Sequence, residues 1–163
     1  MVTMQKITPC LWYNFNAEVA VNHYMEIFKN AKILEVSRYG DALPELTGKV
    51  LVLRFEIEGQ QFQALNGGPH YIFSEAVSFS VPCETQAEID HYWDGLLANG
   101  GTPSQCGWLK DRFGVSWQIV PAALGEMMSS GTPEQSGRVM AAFMKMVKFD
   151  IAALQAAFDG DTK

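Results

Sequence analysis

The chain contains 14 glycines but no GxG, and it has neither a P-loop, a GxSxG nor an HExxH. Each absence removes a chemistry. Phosphate-cradling loops, the nucleophile elbow of serine hydrolases and the zinc helix of metalloproteases all depend on those spacings. Cysteine is scarce: Cys10, Cys83 and Cys106 make an odd number without a CxxC pair. That argues against a disulfide framework and for a reducing, cytoplasmic setting, and the opening MVTMQKITP shows no apolar signal segment. No apolar run approaches the roughly 20 residues of a membrane helix, since even KVLVLRFEIEG is broken at Arg54 and Glu56. No membrane is expected as a partner. Basic residues are few, with 12 Lys and Arg against 18 Asp and Glu, and the net charge of −6 would repel a phosphate backbone. Nucleic acid is therefore not expected either.

What is present is a core. At 163 residues and 48% hydrophobic, one compact domain could bury roughly 70% of its unfolded surface. ITPCLWYNF reads as a strand, followed by Asn16 as an N-cap and a helix carrying Ala17, Ala20, Val21, Tyr24, Ile27 and Phe28 at helical spacing, ending near Asn30. KILEVSRY and KVLVLRFEIE read as strands, and the second meets QFQALN across Glu58-Gly59-Gln60.

The order then recurs. AVSFSVP alternates as a strand, and Thr85-Gln86-Ala87-Glu88 forms a capping box for a helix closed by Asn99-Gly100-Gly101. A short strand near 102–105 and a hairpin of CGWLKD with VSWQIVP, turning at Arg112-Phe113-Gly114, complete the second unit. The helices align as AEVAVNHY and AEIDHYWD, 70 residues apart at Ala17 and Ala87. This indicates an internal βαβββ duplication: an α+β fold within one domain spanning 1–163, with module one at about 5–68, module two at about 74–121 and a helical tail at about 122–163. In the tail, Thr132-Pro133-Glu134-Gln135 starts one helix and Asp150 caps another, stopped by Gly160. The methionines of the tail, at helical spacing, read as core or subunit interface.

Candidate reactive groups are scattered. His23 and His91 read as helix-surface residues, while His70, in the loop NGGPHYIF, is the histidine better suited to a site. Cys106 with Lys110 has the composition of an activated thiol, but four residues of strand span about 13 Å. Cys106 therefore reads as packing.

Two tandem βαβββ modules resemble the vicinal oxygen chelate superfamily of glyoxalases, bleomycin-resistance proteins and extradiol dioxygenases, whose strands form a curved mixed sheet around a cleft. FNAEVAVNHYMEIF, FEIEGQQFQALNGGP and CGWLKDRFGVSWQIVP look like motifs of its PhnB-like branch, which often carries the label 3-demethylubiquinone methyltransferase. The resemblance implies metal-ligand positions at Pro9, Gln63, Ala76 and Gln118, whose side chains lack the imidazole, thiolate or carboxylate donors that a divalent cation needs. No metal, cofactor or catalytic residue is assigned on this basis.

If Gln63 and Gln118 face the cleft, alternation puts Leu11, Tyr13, Gln61, Leu65, Ser78, Ser80, Ser116 and Val120 with them. Phe62, Val77, Phe79, Val115, Trp117 and Ile119 then face the helices. The expected ligand-binding residues are Tyr13, Gln63, Ser78, Ser80, Ser116 and Gln118, the expected partner is a small organic ligand, and the resemblance implies a homodimer. The competing expectations are a metal-dependent lyase, isomerase or oxygenase built on relocated ligands such as His70, Glu56 and Cys106, and, last, methyl transfer.

Overall fold

The structure is a computed structural model that describes residues 5–161. The chain divides into two compact units, Met1–Phe73 and Ser74–Lys163, so the tail belongs with the second module. In the first, β1 (Cys10–Tyr13), α1 (Ala17–Ile27), β2 (Ala31–Arg38), β3 (Val50–Ile57) and β4 (Gln60–Asn66) follow the expected order. The strands lie as β1-β4-β3-β2, with β1 parallel to β4 and the other pairs antiparallel. The second unit repeats the plan with β5 (Ser78–Cys83), α2 (Gln86–Leu97), β6 (Thr102–Pro103), β7 (Trp108–Lys110) and β8 (Ser116–Pro121) in the order β5-β8-β7-β6. Identical strand order and identical parallel pairing support the duplication read from two weakly similar helices. The strands form two separate four-stranded sheets rather than one continuous sheet.

Local chemistry fixes the boundaries. Glu58 and Gly59, with φ of 48° and 81°, make the two-residue β3–β4 turn, whose double positive φ matches the twist of paired strands. Helix α1 ends earlier than expected, at Ile27, because Phe28 leaves it with extended backbone and Asn30 plays no capping part. Asn16 stands at the N-cap without a side-chain cap bond. The cap comes instead from β4, where the Asn66 Oδ1 accepts the Ala17 N–H at 2.9 Å and the Asn66 amide donates to the Glu18 carboxylate at 2.7 Å. One buried asparagine thus ties a helix start to a strand end.

At α2, Thr85 accepts the Glu88 N–H at 3.2 Å, while the Glu88 carboxylate reaches back to the Glu84 N–H at 2.6 Å. Beyond β8 the tail has three helices, α3 (Ala123–Ser130), α4 (Pro133–Phe143) and α5 (Ile151–Asp159). The first has no capping side chain at Ala122 and so leaves no start signal in the sequence. The capping box at Thr132 and Gln135 is complete, Asp150 caps α5 through the Ala153 N–H at 3.0 Å, and Gly160 ends it at a φ of 82°.

The tail is fastened to the second sheet by backbone. Met146 and Val147 carbonyls accept the Cys106 and Gly107 N–H groups, each at 2.8 Å. Lys148 pairs with Asp90 on α2, and the hydrogen bonds that Asp90 accepts from Lys148 and then Gln86 hold its carboxyl below the usual range. Gln86 also accepts the Ile151 N–H at 2.9 Å.

Candidate functional site

In each unit one face of the sheet packs on its helix and the other is open. On the first, Phe62, Ala64 and Asn66 are buried toward α1, and Gln63 and Leu65 alternate onto the open face. Gln63 is the registered partner of both Arg54 and Cys10. Two ion pairs line that face of β3, Arg54–Glu35 at 2.9 Å and Lys32–Glu56 at 3.1 Å.

The β1 assignment needs correction. Leu11 and Tyr13 are buried on the helix side, and the Tyr13 hydroxyl lies 3.2 Å from that of Tyr24 on α1. Tyr13 therefore packs in the core and does not share a face with Gln63. The four residues CLWY offer no polar–apolar alternation to fix their parity. Trp12 is the large residue on the open side: its indole donates to the Gly68 carbonyl at 2.8 Å, and Tyr71 meets its ring edge-on at 5.0 Å. Gly67 is there because a Cβ would lie 2.3 Å from that indole.

The second sheet follows the expected alternation. Ser78 registers with Ser116 and Ser80 with Gln118 across the parallel β5–β8 pair, while Trp108 and Lys110 of β7 register with Gln118 and Ser116. These six side chains share one face. Trp117, Ile119 and Leu109 are buried on the other, against α2, but Val77 stands 67% exposed just ahead of β5 instead of joining them. The Gln118 amide donates to the Ser78 hydroxyl at 2.9 Å. Ser116 is 2% exposed, and its Oγ has no hydrogen-bond partner among the described residues.

Next to this row lies a cavity of about 220 Å3, bounded by Glu75, Thr102, Pro103, Trp108, Lys110 and Ser116. The Lys110 ammonium is 2.5 Å from the Glu75 carboxylate, and that hydrogen bond, with help from the Glu75 backbone, holds the carboxyl below its ordinary range. Glu75 and Trp108 were missed by sequence reasoning. Trp108 could have been found from its even spacing with Lys110 on β7, whereas nothing in the sequence brings Glu75, in the loop before β5, to Lys110.

The opening candidates for chemistry disperse. Cys106 sits in a turn ahead of β7, at a φ of 56°, rather than in a strand, and its thiol points to the Phe143 carbonyl at 3.5 Å. His23 is buried on α1, not at the surface, because it faces the sheet beside Tyr24. His70 and His91 are exposed. Among the described residues no three His, Cys, Asp or Glu side chains come together as a metal site would require. Pro9, Gln63, Ala76 and Gln118 cannot supply such a set, so the donors present do not fit the divalent ion of the wider superfamily. No helix among the described residues is long and apolar enough to cross a membrane.

A family model described as 3-demethylubiquinone-9 3-methyltransferase matches residues 5–120, leaving the helical tail outside. Among solved structures, a PhnB protein from Bacillus cereus, also named for that methyltransferase, is 34% identical over 72% of this chain and all of its own, with a TM-score of 0.66. Protein PA1353 from Pseudomonas aeruginosa is 21% identical over 70% of this chain and 95% of its own, with a TM-score of 0.57. The fosfomycin resistance protein FosX from Listeria monocytogenes, solved with Mn(II) and sulfate, is 15% identical over 80% of this chain and 98% of its own, with a TM-score of 0.54. The last two establish likeness of fold alone. No curated protein matches.

Proposed function

The chain belongs to the PhnB-like family that bears the name 3-demethylubiquinone-9 3-methyltransferase and has the glyoxalase/bleomycin-resistance fold, and from that premise we propose that it binds a small organic molecule on the open face of its second sheet. The carrying observation is the row Ser78–Gln118–Ser116 beside Trp108, with the Gln118 amide already oriented by Ser78 at 2.9 Å. An amide held at one end presents its remaining donor and acceptor to a ligand while staying neutral. A carboxylate at the same place, with Lys110 already paired to Glu75, would cost several kcal/mol or take up a proton. Binding rather than metal-assisted turnover is the chemistry that this donor set supports. Methyl transfer ranks behind both, because the chain lacks the GxG loop that would cradle a nucleotide-like cofactor.

Two further readings accompany this one. A reducing, cytoplasmic setting agrees with three free cysteines. A homodimer agrees with the exposure of Ile33 and Val36 on the edge strand β2, since a bare apolar edge invites pairing.

Native mass spectrometry of the freshly purified protein, with elemental analysis of the same sample, tests the function. A retained organic molecule without stoichiometric transition metal is the expected result. A stoichiometric metal would overturn it in favour of a metal-dependent lyase, isomerase or oxygenase.

A further inference from the structure

A buried hydroxyl with no partner is uncommon, because it gives up its hydrogen bonds to water and gains none in return. The Ser116 Oγ is such a group, on a residue 2% exposed that lines the 220 Å3 cavity. Its registered neighbour across β7–β8 is Lys110. Directly opposed residues of antiparallel strands have Cβ atoms about 5 Å apart, so one small anion can touch both side chains. A carboxylate already does half of this, since Glu75 occupies the Lys110 ammonium at 2.5 Å. Glu75 is the exposed member of that pair, at 64% against 39% for Lys110, and a solvent-exposed ion pair has little net worth to hold it shut.

Building on the proposed binding function, we propose that this cavity takes a small carboxylic acid with a flat apolar body, its carboxylate shared between Lys110 and Ser116, with Glu75 as the internal carboxylate that it displaces. The single cation among the lining residues suits one carboxylate better than a dianionic phosphate. Trp108, two residues before Lys110 on the same face, supplies the apolar wall for the body. The volume is below the roughly 300 to 1,000 Å3 of drug-sized sites, which limits the ligand to about one ring.

Benzoate and its uncharged counterpart benzamide are the probes. Titration of each into the full chain is followed by calorimetry and by the indole N–H resonance of Trp108, assigned through Trp108→Phe. Benzoate should bind at least about tenfold more tightly than benzamide and move that resonance. Glu75→Gln should tighten benzoate about fivefold by freeing Lys110, an effect that loss of a merely structural pair would not produce. Lys110→Met should abolish the preference for benzoate over benzamide. Ser116→Ala should weaken benzoate about tenfold while its Tm stays level or rises, because the lost hydroxyl satisfied nothing in the fold. Benzamide binding as well as benzoate would overturn the carboxylate inference and leave the binding function standing. Absence of binding by either probe, a lowered Tm for Ser116→Ala, or no tightening in Glu75→Gln would also overturn it, whatever native mass spectrometry shows of a retained ligand.

Discussion

The Trp117 indole donates to the Asp111 carboxylate at 3.0 Å, and the second carboxylate oxygen accepts the Phe113 and Val115 N–H groups at 2.9 and 3.0 Å. Asp111 is 3% exposed. The aspartate that stands near a cysteine and a lysine in CGWLKD is thus an internal brace of the β7–β8 turn. Asp111→Ala removes a buried acceptor from three donors, and charge-assisted bonds are worth about 1.5 to 3 kcal/mol each when lost singly. A loss of about 3 kcal/mol or more in urea unfolding is expected. Trp117→Phe, which leaves the two backbone bonds, should cost less than Asp111→Ala does.

Tyr13 gives a contrasting case. Its hydroxyl meets that of Tyr24 in the core, so Tyr13→Phe should lower stability by about 1 kcal/mol without altering any ligand retained in the native mass spectrum. Loss of the ligand in a stable Tyr13→Phe protein would put the residue back on the open face.

Gln118→Leu should keep the fold, since the side chain is only partly buried and its hydrogen-bond partner, Ser78, can turn to water. Ligand binding should weaken by roughly 1 to 3 kcal/mol, because a polar ligand atom would be desolvated without a partner. An unchanged ligand load in the native mass spectrum of Gln118→Leu would show that the ligand lies elsewhere.

Burial, and then the carboxylates of Glu88 and Glu84, push the Cys83 thiol up to about 11. A thiol raised in the folded state favours the protonated protein, so its contribution to stability is complete below the ordinary value of 9.0 and is lost as pH rises toward 11. Cys83 should therefore resist iodoacetamide at pH 8 in the native protein and react readily in urea, followed by peptide mass mapping. Fast labelling of folded protein would contradict the burial. Cys106, in the turn just ahead of β7 and with its thiol against a backbone carbonyl, should show no rate above that of a free thiol.

A particle of twice 18.1 kDa is expected by light scattering at micromolar concentration. Ile33→Lys with Val36→Lys should halve that mass if β2 is the contact, since charged edges discourage pairing. A monomeric wild type would remove the dimer.

The legible parts of this chain are those where local chemistry decides. Glu58-Gly59, the Thr132 box and the Asp150–Gly160 helix could be read because a turn or cap is written in two to four neighbouring residues. The second sheet's faces were readable because SFS and SWQIV alternate cleanly. CLWY does not alternate, and Tyr13 was misplaced by one position. Asn66 as the cap of α1, and Glu75 as the partner of Lys110, join residues 49 and 35 positions apart in the chain. Such pairings depend on where the folded chain returns, which no local pattern encodes. Helix α3 escaped because it begins without a capping residue.

The seam between tail and sheet also constrains how this chain can change. A Cβ at Gly107 would come within 2.5 Å of both the Ile119 carbonyl and the Phe149 ring, and the φ of 78° already favours glycine. Once Phe149 and the Met146–Val147 carbonyls settled against that turn, the extension ceased to be optional. A variant that shed the tail would leave two amide donors bare, and a variant that filled Gly107 could no longer seat the tail. Each half has become a condition for the other, so the extension can drift in sequence along α3 and α4 far more freely than it can be given up.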